Sequence, residues 1–99
     1  MDKLILFFYT RKGCCICEAL EEKLNSIPLS KINPSLNLVK LDIDSSNVSN
    51  SIRNRYDLEV PVLCIGSSKD NIIELPRVSP RLDSEGLLNW LQKATKNIA

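Results

Sequence analysis

The feature that most constrains the fold is an apolar run over residues 4–9 that leads within four residues into Cys14-x-x-Cys17. Six consecutive apolar residues are typical of a strand that is buried on both faces of a sheet. Apolar residues at helical spacing then continue over 15–26, and Pro28 ends that pattern. The sequence therefore predicts two thiols at a helix N-terminus, where free N–H groups and the helix dipole stabilise a thiolate.

The rest of the chain completes an alternating pattern of strands and helices. Alternation over 39–43 predicts a half-buried strand, and the polar residues 44–46 offer oxygens to cap a short second helix. Apolar runs over 62–65 and 72–75 predict two further strands, and the last helix is expected to begin near Asp83 or Ser84. The order β-α-β-α-β-β-α predicts an α/β fold, with a mixed four-stranded sheet flanked by helices.

Length and charge limit the protein classes to which the chain can belong. Its 99 residues predict a single domain, 1–99. Thirteen basic against twelve acidic residues give a net charge of +1, which argues against nucleic acid as the main partner. The longest apolar run is far shorter than the ~20 residues that span a bilayer and too short for a secretory signal. We therefore expect a soluble protein with no membrane partner. The crowding of three of the four cysteines into residues 14–17 fits a cytoplasmic location rather than a disulfide-stapled secreted domain. A monomer is expected.

Two segments resemble a known family. Residues 8–18, FYTRKGCCICE, look like the active-site segment of glutaredoxins and related thioredoxin-fold proteins. Residues 56–63, YDLEVPVL, resemble the segment that carries the cis-proline of that fold. The resemblance is closest to short glutaredoxin-like proteins and extends over essentially the whole chain. It implies a thioredoxin-like fold, a cis bond before Pro61, and a Val60 backbone turned toward Cys14 to pair with substrate.

The same resemblance implies thiol–disulfide exchange, and the residues themselves suggest how the roles divide. Residues three apart on a helix share a face, so Cys14 and Cys17 can form a disulfide. Cys14, which is more exposed and closer to the dipole, is the predicted nucleophile, and Cys17 is the predicted resolving thiol. Arg11 and Lys12 add positive charge that favours the thiolate, and we assign them to the substrate site. No histidine exists, which excludes a Cys–His nucleophile.

The expected reaction is reduction of protein disulfides or glutathione mixed disulfides, with re-reduction by an external thiol donor such as glutathione. We expect no tightly bound cofactor and no metal. Zinc needs four ligands, and the chain has no second Cys-x-x-Cys pair. The alternatives are a non-catalytic binding module and an iron–sulfur carrier with a cluster bridged between two monomers.

Other residues leave alternatives open. Cys15 is either a competing nucleophile or an exposed thiol without an essential role, whereas Cys64 is expected to fill the core. Glutaredoxins have a lysine at the place of Arg11, a threonine at that of Glu59, and a Gly-Gly-x-Asp turn before the last helix. Here residues 75–83 contain no glycine, and Asp83 is expected to cap the last helix. The charges of Arg77 and Arg81 either meet a glutathione carboxylate or face solvent.

Overall fold

The predicted order of strands and helices is confirmed in a computed structural model that describes residues 4–32, 36–68, 71–79 and 81–98. The elements are β1 (Leu4–Thr10), α1 (Cys15–Ser26), a short 3₁₀ helix (Leu29–Lys31), β2 (Leu36–Asp42), α2 (Asn50–Tyr56), β3 (Val62–Ser68), β4 (Asn71–Glu74) and α3 (Ser84–Ile98).

One mixed sheet has the strand order β2-β1-β3-β4. β1 runs parallel to β2, in a register that sets Thr10 opposite Asp42, and antiparallel to β3, in a register that sets Tyr9 opposite Val62. β3 and β4 form an antiparallel hairpin. Because β1 and β2 are parallel, the loops that follow them leave the same edge of the sheet, and the cysteine motif lies on one of these loops.

The apolar run of β1 is buried on both faces because helices cover both sides of the sheet. Leu6 and Phe8 point into a core that also contains residues of α1 and α3, including Cys17. Phe7 and Tyr9 point into a second core on the opposite face, with Tyr56 of α2. Successive side chains of a strand alternate between faces, so one uninterrupted apolar run serves both cores.

Three predicted details are wrong. β2 begins at Leu36 rather than near residue 39, and β3 continues past residue 65 through Gly66, which pairs with β1 and β4. The cap of α2 is Ser49, whose hydroxyl accepts the backbone N–H of Ile52 at 3.3 Å. The predicted capping residues 44–46 belong instead to a turn, which begins where the amide of Ser45 donates to the carbonyl of Asp42 at 3.0 Å.

The predicted cap of the last helix is confirmed. The Asp83 carboxylate accepts the backbone N–H of Gly86 at 2.7 Å, and the Asp83 carbonyl accepts that of Leu87 at 2.9 Å. These bonds satisfy N–H groups that lack partners in the first turn of a helix. Within the described ranges, no helix is both long enough and apolar enough to cross a membrane.

Candidate functional site

The cysteine motif occupies the turn from β1 into α1. Gly13 has φ of +79°, a left-handed conformation that glycine adopts without strain. Cys14 is the N-cap of α1, with extended backbone, and its Sγ accepts the backbone N–H of Cys17 at 3.2 Å. Cys14 and Cys17 are joined by a disulfide, and their Cα atoms lie 5.2 Å apart. The predicted cysteine pair at a helix N-terminus is thus present, in its disulfide form.

The cysteines of the motif differ in access to solvent. Cys17 lies inside the core and is 1% exposed, whereas Cys14 is partly buried at the surface of the same core. This difference agrees with an outer attacking thiol and an inner resolving thiol, although the roles themselves stay predictions. Cys15 is free and exposed.

The bond between Val60 and Pro61 is cis, as the resemblance implied. Pro61 is buried and lines a cleft of about 210 Å³ together with Cys15 and Ile16. The remaining walls come from α1, from the segment that leads into α3 and from α3 itself, mainly Ala19, Leu20, Val78, Leu82 and Leu87. The structure therefore brings the proline segment and the cysteine turn to one largely apolar cleft.

Charged residues lie at the rim of this cleft. Lys23 and Arg77 contribute to its lining, and Arg77 also approaches the Glu59 carboxylate at 3.5 Å. Both members of that pair are more than half exposed. Arg81 is exposed, and its backbone N–H donates to the hydroxyl of Ser79 at 3.3 Å.

Arg11 does not present a free cation beside the cysteines. Its guanidinium forms ion pairs with Asp44 at 2.9 Å and with Asp57 at 2.8 Å. The hydrogen bond to Asp44, and then the one to Asp57, hold the pKa of Arg11 above its usual value, while the bond from Arg11 holds the pKa of Asp44 below its own. Lys12 is exposed. The structure thus leaves Lys12, rather than Arg11, open to a ligand.

A second group of polar side chains lies on the opposite face of the sheet. The Tyr56 hydroxyl donates to Glu74 at 2.8 Å and lies 3.8 Å from the buried Sγ of Cys64. Burial first, and then the bonds to Glu74 and Cys64, raise the pKa of Tyr56, and burial raises the pKa of the Cys64 thiol. Cys64 is buried in the core, as predicted. This group belongs to the core that α2 covers and does not reach the cysteine turn.

No group of three or more His, Cys, Asp or Glu side chains that could hold a metal ion is found among the described residues.

The sequence missed two kinds of site residue. No local sequence pattern predicted Asp44 and Asp57 as partners of Arg11, because they lie 33 and 46 residues away from it in the chain. One signal for Asp44 existed, since it follows the strand parallel to β1 and so leaves the same edge of the sheet. The lining residues Val78 and Leu82 gave no signal, because they lie in an irregular segment.

Comparisons with known proteins identify the family and the fold. A family model described as glutaredoxin-like domain (DUF836) matches residues 5–92. No curated protein sequence matches the chain.

Several solved structures share the fold. A disulphide isomerase from Xylella fastidiosa superposes with a TM-score of 0.63 at 17% identity, over 95% of this chain and 79% of the other. The thioredoxin Deadhead of Drosophila melanogaster gives 0.60 at 21% identity, over 93% and 81%. Mitochondrial thioredoxin 3 of Saccharomyces cerevisiae, in its oxidised form, gives 0.59 at 18% identity, over 98% and 80%. At these identities the likeness shows the fold alone.

Proposed function

The chain belongs to the glutaredoxin-like domain family and has a thioredoxin-like fold, and on that premise we propose that it is a thiol–disulfide oxidoreductase. The observation that carries the proposal is the Cys14–Cys17 pair at the N-terminus of α1, beside a cleft that cis-Pro61 lines. Helix N-termini favour the thiolate, which is the species that attacks disulfides.

The proposed reaction proceeds in two exchanges. The Cys14 thiolate attacks one sulfur of a substrate disulfide, forms a mixed disulfide, and releases the other sulfur as a thiolate that solvent protonates. The Cys17 thiol then loses its proton and attacks the Cys14 sulfur, which releases the second substrate thiol. The substrate gains two electrons and two protons, and the protein is left with the Cys14–Cys17 disulfide seen in the structure.

The pair must then be reduced again by an external thiol. Two molecules of glutathione, which end as glutathione disulfide, or one protein dithiol, which ends as its disulfide, supply the two electrons in a reducing compartment such as the cytoplasm. The proposal thus assigns the protein to cellular redox homeostasis. It requires no bound cofactor.

The apolar lining of the cleft supports a polypeptide disulfide as the substrate. Apolar walls contributed by Ile16, Val78 and Leu82 suit an apolar side chain next to the substrate cysteine. The exposed Glu59 carboxylate, directly before Val60, disfavours binding of the anionic tripeptide glutathione. Because Glu59 also forms an ion pair with Arg77, the guanidinium at the rim is already paired with a carboxylate of the protein. A glutathione mixed disulfide is therefore the second choice of substrate.

The test is a trapping experiment with a short peptide disulfide. Acid stops the exchange, the thiols that remain free are alkylated, and mass spectrometry identifies the products. Reduced wild-type protein should convert to the Cys14–Cys17 disulfide. Cys17→Ser should instead accumulate a peptide adduct on Cys14. The control Cys15→Ser should cycle as the wild type does. A pair that never oxidises contradicts the proposed reaction, and an adduct on Cys15 contradicts the assignment of the nucleophile.

The two alternatives have their own signatures in the same preparation. Visible absorbance that is lost with Cys14→Ser favours an iron–sulfur carrier. A colourless protein that binds the peptide disulfide without oxidising its own dithiol favours a binding module.

A further inference from the structure

Four hydrogen bonds fix the guanidinium of Arg11. Nε donates to Asp44 Oδ2 at 2.9 Å and Nη2 donates to Asp44 Oδ1 at 3.0 Å. Nη1 donates to the backbone carbonyl of Asp57 at 2.8 Å, and Nη2 also donates to its Oδ1 at 2.8 Å. All three nitrogens are used, which is the fork geometry that a lysine cannot reproduce.

The acceptors belong to two different loops. Asp44 lies in the turn between β2 and α2, whereas Asp57 is the C-cap of α2 and stands three residues before Val60. The Asp57 carbonyl is one of the groups that a helix C-terminus leaves without an internal partner, and Arg11 supplies that partner. Since Arg11 itself stands three residues before Cys14, its side chain joins the cysteine turn to both loops.

The turn that contains Asp44 is itself restrained by hydrogen bonds. Arg53 of α2 donates to the carbonyls of Ile43 at 2.8 Å and Ser45 at 3.0 Å, on either side of Asp44. The amide of Ile43 also continues the β1–β2 ladder by donating to the carbonyl of Thr10 at 2.9 Å. The turn that contains Asp44 is therefore restrained at both ends. Because Arg11 is hydrogen-bonded both to this turn and to Asp57, it restrains the position of Asp57 as well.

Besides Arg11, the segment from Asp57 to Val60 is held by the ion pair of Glu59 with Arg77 at 3.5 Å and by Val60, which packs against both cores. The amides of Glu59 and Val60 both donate to the carbonyl of Tyr56, at 3.0 and 3.2 Å. The Leu58 side chain is 89% exposed and Glu59 lies at the surface. Because Leu58 and Glu59 bury little side chain, the Asp57 end of the segment depends on polar contacts to keep one position, and Arg11 makes two of them, both to Asp57.

We propose that Arg11 is a positioning residue that holds the Val60–Pro61 segment in place against the cysteine turn. The inference rests on the proposed function, because it gives that segment the task of presenting its backbone to a substrate. Arg11 acts here through Asp57 and Asp44, and not as a charge beside the Cys14 sulfur. Misplacing a substrate-binding segment by a fraction of an ångström weakens binding while the thiol chemistry persists.

The experiment compares Arg11→Lys, Arg11→Gln and Asp57→Ala in a Cys15→Ser background. The matched control is Lys40→Gln, which removes an exposed ion pair with Glu21 at 3.0 Å that joins β2 to α1 away from the loops. Steady-state reduction of a leucine-flanked peptide disulfide gives KM and kcat. Amide hydrogen exchange at Glu59 and Val60 reports on the segment without any substrate, and thermal melts confirm that each variant folds.

Both Arg11 variants should raise KM roughly five- to tenfold, leave kcat within about twofold, and speed exchange at Glu59 and Val60 about tenfold. Asp57→Ala should change the same quantities less, because the bond to its carbonyl remains. Lys40→Gln should match the background protein. The pH dependence of Cys14 alkylation should be the same in all variants.

Two results would overturn the inference. If Arg11→Lys behaves as the background protein while Arg11→Gln shifts the pH dependence of Cys14 alkylation, Arg11 acts through its charge. If exchange at Glu59 and Val60 is unchanged in both Arg11 variants, the segment does not depend on Arg11. A background protein that reduces no peptide would contradict the proposed function instead, and the exchange measurement would still decide whether Arg11 holds the segment.

Discussion

Substitution of Ile16 by alanine tests whether the apolar cleft binds substrate. Ile16 lines the cleft and is 49% exposed, so about half of its side chain is available for a substrate to cover. Full burial of such a side chain is worth ~1.5–3 kcal/mol, and covering half of it is therefore worth ~1 kcal/mol. Because 1.4 kcal/mol is a factor of ten, Ile16→Ala should raise KM about fivefold.

The assay is steady-state reduction of two peptide disulfides, one flanked by leucine and one by serine. The fivefold loss should appear for the leucine peptide, with kcat unchanged and little effect on the serine peptide. Ile73→Ala is the matched control, since Ile73 is equally exposed, at 49%, but lies on β4 outside the cleft. Equal KM values for wild type and Ile16→Ala, or equal losses in both variants, would refute the assignment of the cleft to substrate.

Two further predictions concern stability. Asp83→Ala removes the cap of α3 and should lower the free energy of unfolding by ~1 kcal/mol and Tm by about 4–8 °C in thermal melts, whereas Asp83→Asn should keep most of the stability. Burial raises the pKa of the Cys64 thiol in the folded protein above its usual 9.0. The unfolded chain therefore loses this proton at a lower pH than the folded protein does. The contribution of Cys64 to stability is present below pH 9 and declines as the pH rises through the folded pKa. Urea denaturation of the oxidised protein from pH 7 to 10 should show a slope of at most ~1.4 kcal/mol per pH unit from this group, and an equal slope in Cys64→Ala would contradict the assignment.

The sequence was sufficient for the features that depend on local pattern. An apolar run, a glycine and a cysteine pair followed by helical spacing specify β1, the turn and α1, because burial and helix capping act on residues that are neighbours in the chain. The cap at Asp83 was predictable for the same reason. The resemblance added the cis bond at Pro61, which no local pattern distinguishes from the far commoner trans bond.

Local pattern was insufficient to choose the residue that caps α2 and to place Gly66. Residues 44–46 offered the same capping oxygens as Ser49, and the backbone turn at Asp42 decided between them. Gly66 signals a turn by composition, yet its backbone pairs with strands on both sides. Strand pairing overrode the intrinsic preference of the residue in that case.

The periodicity of side chains specifies which elements form, and it is enough to place two thiols at the start of a helix that follows a buried strand. The surroundings of these thiols depend on tertiary contacts. The cleft that Pro61 shares with Ile16, and the bridge from Arg11 to Asp44 and Asp57, join residues that are far apart in the chain. Their meeting depends on the parallel register of β1 and β2 and on the path of the loops at that edge of the sheet, which residue spacing does not encode.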